Sequence, residues 1–485
     1  MKKTNNLIIE KAYINGKWEK GKKKFAVINP ADNKINAEVA DLYVKETQTA
    51  IKSAHKAWLS WRHETAQYRC DLLSRFDQLI NENKDDIAEI ITLESGKPIS
   101  ESYAEISYGA SFVSWFAEEG KRAYGETIPS PNPANRIVTI KQGVGVVSAI
   151  TPWNFPLAMI TRKIAPALAA GCTVVIRPAS ETPLTALALA KLAEEAGFPK
   201  GTFNVVTGKD SSNMGKELST NSLVRKISFT GSTAVGRILM AQAAETIKKV
   251  SFELGGNAPF IVFEDADLDR AVEGALIAKF RNSGQTCVAA NRFLVHDKVF
   301  EKFSEKITKA VEALKTGNGL KKNVQVGPLI NKKGIEKVEQ HVADALKKGA
   351  KLLTGGAVIK DLFFQPTVIA DVPTNALLAN EETFGPVIAL FRFKSEEEAI
   401  QLANSTEFGL AAYFYSQDVN RCWRVAEAIE SGMVGMNTGL VSTAPAPFGG
   451  IKQSGIGREG SKHGLDEFME IKYLCFGGHE SNKNT

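Results

Sequence analysis

The chain has 485 residues, of which 44% are hydrophobic and 24% are charged, and its 60 basic and 54 acidic residues give a net charge of +6. This composition is that of an ordinary globular protein of roughly three domain-sized units, and it excludes intrinsic disorder, collagen-like repeats and a small disulfide-stabilised scaffold. The basic residues are spread along the chain rather than concentrated on one stripe, so nucleic acid is not an expected partner.

The first part of the chain is predicted to be helical. Residues 46–61 and 67–93 carry apolar residues at spacings of three and four, which is the period of an amphipathic helix. The segment at 95–98 (SGKP) ends the second helix, because glycine and proline do not continue it. Prolines at 129–133 then interrupt the pattern, and strands are predicted at 136–140 and 143–150.

From residue 144 to residue 263 the chain alternates between apolar β-branched runs and helical stretches. Strands and helices that alternate at this spacing predict a parallel sheet covered on both faces, which is a doubly wound α/β domain. Nucleotides bind such sheets at the carboxyl ends of the strands. The predicted strands are 146–150, 173–176, 203–206, 226–229 and 259–263, and the predicted helices are 158–170, 183–196 and 233–248.

The alternation continues beyond residue 265, and a second α/β domain that begins near residue 257 accounts for it. A short apolar strand at 470–475 follows a glycine-rich turn. A lone terminal strand has to pair with another strand, and another subunit is one candidate partner. The predicted helices of this part are 267–281, 298–314, 332–348 and 396–403, and the predicted strands are 292–296 and 410–416.

The cysteines and the apolar runs indicate where the protein is found. The five cysteines are widely spaced and form no CxxC pair, so a structural zinc site and a thioredoxin-type pair are not expected. Residues 1–13 contain no apolar stretch of signal-peptide length, and the longest weakly polar run, 164–176, is shorter than the ~20 residues that cross a bilayer. We therefore predict a soluble cytoplasmic protein without a membrane partner.

Two glycine-rich segments are candidates for a nucleotide-binding turn. Residues 143–148 (GVGVVS) lack the third glycine of the dinucleotide fingerprint and lie within a predicted strand, so this segment is rejected. Residues 229–236 (FTGSTAVG) follow a strand and open a helix. There Gly231 allows a sharp turn, and the amides near Ser232 would face an anion at the positive end of the helix dipole. The segment fits a phosphate site, and it also fits an ordinary strand-to-helix turn.

The sequence contains no GxSxG, HExxH or P-loop motif, and its six histidines are not at metal-ligand spacing, so a serine hydrolase or a metalloenzyme is not supported. Cys287 stands just after a predicted helix end, in the segment GQTC. A lone cysteine of this kind is either a small buried hydrophobe or a catalytic nucleophile. The residue chemistry alone leaves both interpretations open.

Five short motifs follow one another along the chain, and together they resemble the aldehyde dehydrogenase superfamily from about residue 10 to about residue 478. The resemblance implies a Rossmann-like cofactor domain (1–128 and 144–256), a second α/β catalytic domain (257–445) and a small β oligomerisation arm (129–143 and 468–485). It also implies a homodimer or a homotetramer. The motifs are residues 150–156 (ITPWNFP), 252–257 (FELGGN), 284–287 (GQTC), 381–386 (EETFGP) and 447–450 (PFGG).

The resemblance implies catalytic roles for three residues. The Cys287 thiolate would add to the aldehyde, and the resulting thiohemiacetal can expel a hydride, which a planar aldehyde does poorly. The Asn154 side-chain amide and the Cys287 backbone N–H would stabilise the anionic oxygen of this adduct. Glu253 would be the general base for the water that cleaves the thioester. Taken alone, Asn154 fits a turn residue and Glu253 fits a paired carboxylate at a strand end.

Cofactor contacts are implied in the same way, with NADP preferred and NAD possible. Ser180 stands where the family often has glutamate, whose charge repels the 2′-phosphate of NADP. Arg177 stands where lysine is commoner, and its guanidinium can hold phosphate oxygens with more than one N–H. No metal is predicted. The expected cofactor contacts are Trp153, Asn154, Arg177, Pro178, Ala179, Ser180, Gly231, Ser232, Leu254, Glu382 and Phe384.

Four further segments narrow the resemblance to the succinate-semialdehyde dehydrogenases. Arg162 and Arg281 match the group that binds the substrate carboxylate in that branch, and Ser442 adds a hydroxyl donor. Either arginine alone also fits an ordinary helix surface. Glutarate semialdehyde or a broader range of aldehydes is the competing substrate, and a non-redox thiol acyl-transferase or thioesterase and a non-catalytic binding protein are the competing functions. The segments are 159–163 (MITRK), 279–282 (KFRN), 439–442 (GLVS) and 457–464 (GREGSKHG).

Overall fold

A computed structural model of the chain describes residues 5–478. These residues form two largely parallel sheets, of eight and seven strands, and a three-stranded antiparallel arm. Apolar side chains are buried on both faces of each sheet, as a doubly wound α/β architecture requires. Within the described range no helix is both long and apolar enough to cross a membrane. The last part of the predicted arm, 479–485, lies outside the described residues.

Four strands precede the first helix, and none of them was predicted from the sequence. The first two form an antiparallel hairpin that joins the edge of the first sheet, and the next two form a separate antiparallel pair. The first two have three residues each, too few to show a period, and charged or polar residues interrupt the apolar pattern of the other two. The strands are β1 (Ala12–Ile14), β2 (Lys17–Glu19), β3 (Lys23–Ile28) and β4 (Ile35–Asp41).

The helical region that follows has four helices, and the prediction of one helix over 67–93 is wrong. Asn83 interrupts it with φ −104° and ψ 17°, and its side-chain amide donates to the Leu79 carbonyl at 2.8 Å. Asparagine favours helix ends because its amide competes for backbone hydrogen bonds. Gly96, with φ 80°, ends the third helix where the stop at 95–98 was predicted. The elements are α1 (Val44–Trp61), α2 (Ala66–Glu82), α3 (Lys84–Ser95), α4 (Ile99–Glu119), β5 (Thr127–Ile128) and β6 (Arg136–Gly143).

The first sheet is doubly wound, as predicted. Its core elements are β7 (Val146–Ile150), α5 (Ala158–Ala169), β8 (Thr173–Arg177), α6 (Pro183–Ala196), β9 (Phe203–Val205), α7 (Ser211–Thr220), β10 (Val224–Thr230), α8 (Thr233–Ala244) and β11 (Lys249–Glu253). The parallel strands lie in the order β9-β8-β7-β10-β11, so the winding direction reverses between β7 and β10. Such a reversal opens a crevice at the carboxyl ends of the strands. The rejected segment 143–148 lies at the amino end of β7, which is the opposite edge of the sheet.

The second sheet has the order β14-β17-β18-β13-β12-β20-β21 and is parallel except for the edge strand β14. Four of its helices coincide with predicted ones to within a few residues, whereas the strands between residues 351 and 393 were missed. The elements are β12 (Ala258–Val262), α9 (Leu268–Phe280), β13 (Ala290–His296), α10 (Phe300–Glu312), α11 (Lys332–Lys347), β14 (Lys351–Thr354), β15 (Val358–Lys360), β16 (Phe363–Phe364), β17 (Thr367–Ala370), α12 (Leu377–Asn380), β18 (Val387–Phe393), α13 (Glu396–Asn404), β19 (Phe408–Gly409), β20 (Ala411–Tyr415), α14 (Val419–Ala428) and β21 (Met433–Met436).

The C-terminal segment returns to the first sheet and then completes the arm. Its elements are β22 (Ile451–Lys452), β23 (Gly455–Ile456), α15 (Ser461–Asp466) and β24 (Met469–Phe476). β23 pairs antiparallel with β11, and β24 pairs along its whole length with β6. Another subunit was a candidate partner for the terminal strand, but the strand pairs with β6 of its own chain. This contact joins segments more than three hundred residues apart, which no local pattern reveals.

Candidate active site

A cavity of about 450 Å³, here called the large cavity, lies between the carboxyl ends of the first sheet and the amino ends of the second. A narrow pocket shares Cys287 with it, so the thiol stands where the two spaces meet. The predicted site residues that line the large cavity are Trp153, Asn154, Gly231, Ser232, Leu254, Cys287, Glu382 and Phe384. Those that line the narrow pocket are Arg162, Arg281, Cys287 and Ser442.

Loops that follow three strands of the first sheet build one wall of the large cavity. Trp153 and Asn154 follow β7, Gly231 and Ser232 follow β10, and Leu254 follows β11. Ser232 is the N-cap of α8, and its hydroxyl accepts a hydrogen bond from a first-turn backbone N–H at 3.4 Å. A side chain at Gly231 would come within 2.4 Å of a neighbouring phenylalanine ring. The predicted strand-to-helix turn is therefore present, and the helix N-terminus faces the cavity.

The segment that leads to Cys287 has an unusual backbone. Residues 282–284 have positive φ angles of 51°, 57° and 76°, and the first two are not glycines. The side chain of Gln285 holds this turn, since its Oε1 accepts from the Ile330 amide at 2.9 Å and its Nε2 donates to the Asn282 carbonyl at 3.1 Å. Strained residues persist only where their surroundings determine them, and they cluster at functional sites. The position of Cys287 is thus set by a rigid turn.

The surroundings of Cys287 disfavour the ionised form of its thiol. Burial raises the pKa of the Cys287 thiol to about 12, although the Arg162 guanidinium opposes the rise. The thiolate is the nucleophilic form of cysteine. The thiol must therefore lose its proton before its sulfur can act as a nucleophile.

The amide of Asn154 is held close to the Cys287 segment. Its Nδ2 donates to the Gln285 carbonyl at 2.9 Å, which leaves the second amide hydrogen for a ligand. The backbone carbonyl oxygen of Asn154 accepts hydrogen bonds from Lys97 Nζ at 2.6 Å and from Asn282 Nδ2 at 2.9 Å. The predicted oxyanion donor and the predicted nucleophile thus lie on two loops that bind each other directly.

Glu253 ends β11 and is only 3% exposed. Beside it Glu459 forms ion pairs of 2.5 Å with both Arg162 and Lys163. Burial raises the pKa of Glu253 well above its ordinary value, and the negative charge of Glu459 adds to the rise. For Glu459 burial also acts upward, but the two cations hold the pKa of that carboxyl below its usual range. A buried carboxyl with a raised pKa is suited to act as a general base near neutral pH.

Arg162, one of the two arginines predicted to bind a carboxylate, already has an internal partner. Its guanidinium pairs with Glu459, and its charged group lies 3.8 Å from the centre of the Phe448 ring. Its Nη1 also donates to the Tyr108 hydroxyl at 3.4 Å. Burial opposes the charge of Arg162, but Glu459 raises the pKa of the guanidinium above its ordinary value. The cation therefore persists, with much of its charge balanced by Glu459.

Arg281 is differently placed. Its guanidinium lies 5.2 Å from the centre of the Phe155 ring, and no carboxylate of residues 5–478 is at ion-pair distance from it. The nearby Glu101 accepts from the Asn282 amide at 2.6 Å, and burial raises the pKa of that carboxyl to about 7. Ser442 lines the same narrow pocket. The two predicted substrate arginines are thus not equivalent, and Arg281 carries the less compensated charge.

The opposite end of the large cavity is formed by residues that precede β18. The Glu382 carboxylate accepts from the Gly256 amide at 3.1 Å, and burial raises the pKa of Glu382 to about 7. The Phe384 ring stands edge-on to the Trp153 ring, with the ring centres 5.6 Å apart. A carboxyl group beside an aromatic pair can bind ligand hydroxyls and pack against a flat ring. Residues 5–478 contain no group of three His, Cys, Asp or Glu side chains that could hold a metal ion.

The predicted adenosine contacts at 177–180 lie at the carboxyl end of β8 but do not line the large cavity. Arg177 is 6% exposed and donates to the Gly208 carbonyl at 3.3 Å, and burial lowers the pKa of its guanidinium. The Ser180 hydroxyl donates to the neighbouring Glu181 carboxylate at 3.2 Å. Residues 177–180 therefore lie at the same edge of the first sheet as the loops that line the large cavity, but they do not line it themselves.

Several residues of the site were not among the predicted ones. Tyr108 lines the narrow pocket, Gln285 and Lys337 line the large cavity, and Glu459 and Lys97 lie behind the two spaces. Glu459 stands in a segment that carried the family resemblance, and Lys97 stands in the predicted helix stop. Both residues therefore lie in segments that stand out in the sequence. The local pattern of residues does not indicate that the charges of Glu459 and Lys97 are buried at the site.

The sequence profile of the aldehyde dehydrogenase family matches residues 18–474. The chain is 56% identical to a glutarate-semialdehyde dehydrogenase of Pseudomonas putida, over 98% of this chain and 99% of the relative. It is also 56% identical to the NADP(+) succinate-semialdehyde dehydrogenase of Escherichia coli K12, with the same coverage. The crystal structure of succinate-semialdehyde dehydrogenase from Burkholderia pseudomallei superposes with a TM-score of 0.97 at 55% identity, over 98% of this chain and 99% of that one.

Proposed function

The chain belongs to the aldehyde dehydrogenase family, and from this premise we propose that it oxidises succinate semialdehyde to succinate with NADP as the preferred cofactor. The observation that carries the proposal is the position of Cys287, where the large cavity meets the narrow pocket. A cofactor in the large cavity and an aldehyde in the narrow pocket would approach the sulfur from two sides. The narrow pocket has a volume of about 10 Å³, so its side chains have to move apart to admit the aldehyde. The charge of Arg281 in the narrow pocket fits an aldehyde that ends in a carboxylate.

The large cavity fits the nicotinamide, ribose and pyrophosphate parts of a dinucleotide. The N-terminus of α8 supplies free amides and a positive dipole end for a pyrophosphate, and Gly231 keeps this turn free of a side chain. Glu382 can bind ribose hydroxyls, and Leu254 offers an apolar surface to a flat ring. When bound, the nicotinamide accepts the hydride that leaves the substrate carbon. The pairing of Trp153 and Phe384 restricts the space in which such a ring can lie.

Cys287 and Asn154 act in the first half of the reaction. The Cys287 thiol releases its proton to water, and the sulfur then bonds to the aldehyde carbon. The electron pair of the carbon–oxygen π bond moves to the oxygen, which becomes an oxyanion in the resulting thiohemiacetal. The free amide hydrogen of Asn154 and the backbone N–H of Cys287 donate to that oxyanion, and one such donor is worth ~3 kcal/mol of transition-state stabilisation. Departure of the hydride then converts the adduct into a thioester on Cys287.

Glu253 acts in the second half. It accepts a proton from water, and the hydroxyl oxygen bonds to the thioester carbon as the carbon–sulfur bond breaks, which releases the acid and restores Cys287. Burial and the charge of Glu459 raise the pKa of Glu253, so the carboxyl binds a proton more readily than an exposed glutamate does. The Arg162 and Lys163 cations keep Glu459 ionised, so that charge stays in place during the reaction.

The test of this function is the absorbance of reduced nicotinamide after the protein is mixed with NADP and succinate semialdehyde. Glutarate semialdehyde belongs in the same experiment, because relatives of equal identity carry that name. Butanal serves as the uncharged control. Absence of reduced cofactor with every aldehyde would contradict the proposal and would leave non-redox thiol chemistry at Cys287. A higher kcat/KM for glutarate semialdehyde would change the substrate but not the reaction.

Replacement of Arg281 tests the substrate site. We expect Arg281→Ala to lower kcat/KM for succinate semialdehyde by roughly 10- to 100-fold relative to butanal, because a hydrogen bond to a charged group is worth about 1.5–3 kcal/mol. Arg162→Ala should lower kcat/KM for both aldehydes and also lower the unfolding temperature, since it leaves Glu459 without one of its cations. Equal losses on both aldehydes in Arg281→Ala would show that Arg281 is structural.

Replacement of Ser180 tests the cofactor preference. In a doubly wound sheet the end of the second strand is where the adenosine ribose is read, and Arg177 and Ser180 stand there. We expect a lower KM for NADP than for NAD in the native protein. Ser180→Glu should reverse the order, because a like charge beside the 2′-phosphate costs several kcal/mol in a partly buried site. Ser180→Gln is the matched uncharged control, and an unchanged NADP/NAD ratio in Ser180→Glu would contradict the assignment.

We also infer a cytoplasmic homodimer or homotetramer. One edge of β24 pairs with β6, while Ile471, Tyr473 and Phe476 on this strand are 70%, 60% and 57% exposed. Exposed apolar side chains on an edge strand favour association with another chain. The five cysteines are unpaired in the structure, which suits a reducing compartment. The mass of the protein in solution tests the oligomer.

A further inference from the structure

We propose that Lys97 and Glu105 are positioning residues that act on the reaction through the amide of Asn154. This inference rests on the proposed aldehyde oxidation, in which Asn154 donates to the oxyanion. In the sequence, the segment at 95–98 indicates only the end of a helix. In the structure the side chains of Lys97 and Glu105 are both 0% exposed, and together they hold the loop that carries Asn154.

The ion pair holds this loop at two points. Lys97 Nζ donates to Glu105 Oε2 at 2.5 Å and to the Asn154 carbonyl oxygen at 2.6 Å. Glu105 Oε1 accepts from the backbone amide of Leu157 at 2.8 Å, three residues further along the same loop. The Lys97 ammonium also lies 4.0 Å from the centre of the Phe155 ring. Lys97 and Glu105 therefore fix the backbone of this loop before and after Phe155.

The same contacts fix the loop relative to Cys287. Asn282, in the strained turn before the nucleophile, donates to the same Asn154 carbonyl as Lys97 does, at 2.9 Å. The Asn154 amide in turn donates to the Gln285 carbonyl at 2.9 Å. Lys97 thus bonds directly to the Asn154 peptide, and that peptide and its side chain bond to the turn before Cys287. Loss of Lys97 would leave the Asn154 carbonyl with Asn282 as its donor, and the loop would be free to shift.

A shift of this kind affects turnover more than substrate binding. Hydrogen-bond donors stabilise an oxyanion only when they are held at the position where its charge develops. A misplacement of ~1 Å can cost about 100-fold in rate. A buried ion pair adds little to stability compared with apolar residues of the same size. The pair is therefore better explained by the geometry that it imposes on Asn154 than by a contribution to the stability of the fold.

The experiment compares Lys97→Met alone and in the Asn154→Ala background. We expect Lys97→Met to lower kcat by roughly 10- to 100-fold, with a change in the aldehyde KM of less than about threefold. The rate at which iodoacetamide alkylates Cys287 in the free protein should stay unchanged. In the Asn154→Ala background the same replacement should cost no further activity, because the group through which it acts is absent. Lys306→Met, which removes the exposed ion pair with Asp269, is the matched control and should keep native kcat.

Each further outcome decides the proposal. An equal loss in both backgrounds, or a parallel loss of Cys287 alkylation, would show a general structural role and overturn it. If Lys97→Met does not fold, the charge-neutral double variant Lys97→Met/Glu105→Gln takes its place in the same comparison, since it leaves no unpaired buried charge. If the native protein itself reduces no NADP with any aldehyde, the proposed function fails. If the native protein is active and Lys97→Met matches it, the positioning role fails.

Discussion

Replacement of Cys287 by alanine is expected to abolish the formation of reduced cofactor, with a loss of more than about 10⁴-fold in kcat, which is the scale seen when a covalent nucleophile is removed. Without the sulfur no thiohemiacetal forms, and the planar aldehyde is a poor hydride donor. Cofactor binding should persist, because the groups on the first sheet that line the large cavity are untouched. Reduced-nicotinamide absorbance gives the rate, and quenching of tryptophan fluorescence by NADP gives the binding.

The control is Cys422→Ala, which removes a partly exposed thiol that lines neither the large cavity nor the narrow pocket. That variant should keep native activity.

The pH dependence of Cys287 alkylation gives a second check. Because burial raises the pKa of the Cys287 thiol to about 12, its thiolate fraction in the free protein increases as pH rises from 7 to 10. Alkylation of Cys287 should accelerate over this range, with Cys287→Ala as the blank. Substantial activity in Cys287→Ala would refute the covalent mechanism.

Replacement of Glu253 by glutamine is expected to separate the two half-reactions. Hydride departure does not need the carboxylate, so the first turnover should give a burst of reduced cofactor equal to the number of sites. The thioester should then accumulate, and the steady-state rate should fall by about 10²- to 10⁴-fold, which is the usual worth of a general base. Rapid mixing measures the burst, and mass spectrometry of the quenched protein detects an acyl group on Cys287.

Glutamine matches the size of Glu253, and the Glu253 Oε2 atom has no hydrogen-bond partner among the described residues, so the replacement should not disturb the fold. Glu245→Gln, at an exposed glutamate, is the control.

In the native protein deacylation should slow as pH falls through the pKa of Glu253, because protonation removes the base. Burial raises that pKa, so the loss should begin at a higher pH than an exposed glutamate would give. A steady-state rate unchanged in Glu253→Gln would show that another group activates the water.

Much of the fold follows from the local pattern of apolar residues. The strand at 146–150 and the helix at 183–196 have the same bounds in the structure as in the prediction, because buried parallel strands and amphipathic helices have distinct periods. The strands β1 to β4 were missed, since β1 and β2 have only three residues each and charged or polar residues stand among the apolar ones of β3 and β4. The break at Asn83 was missed for another reason: the apolar spacing continues across it, and only the cap interrupts the backbone.

The candidate active site was also predicted in part from the sequence. Its loops could be located from the sequence, because short motifs mark the strand ends and the turn at Cys287, and eight predicted residues do line the large cavity. The residues at 177–180 carry chemistry that suits a phosphate, yet they lie outside that cavity. A motif specifies which residues are near a strand end. It does not specify which way their side chains turn, since that depends on packing against segments far away in the chain.

The sequence by itself determined the family, the alternation of strands and helices in the first sheet and the identity of the groups that can react. Only the tertiary structure decided which charges are free to act. Lys163 and Glu459 are 296 residues apart, yet they form a buried ion pair that also takes up Arg162 and leaves Arg281 as the less compensated cation of the narrow pocket. The free energy of a charge depends on its burial and on the distance to its counter-ion. Both are properties of the folded chain, and neighbours in the sequence do not encode them.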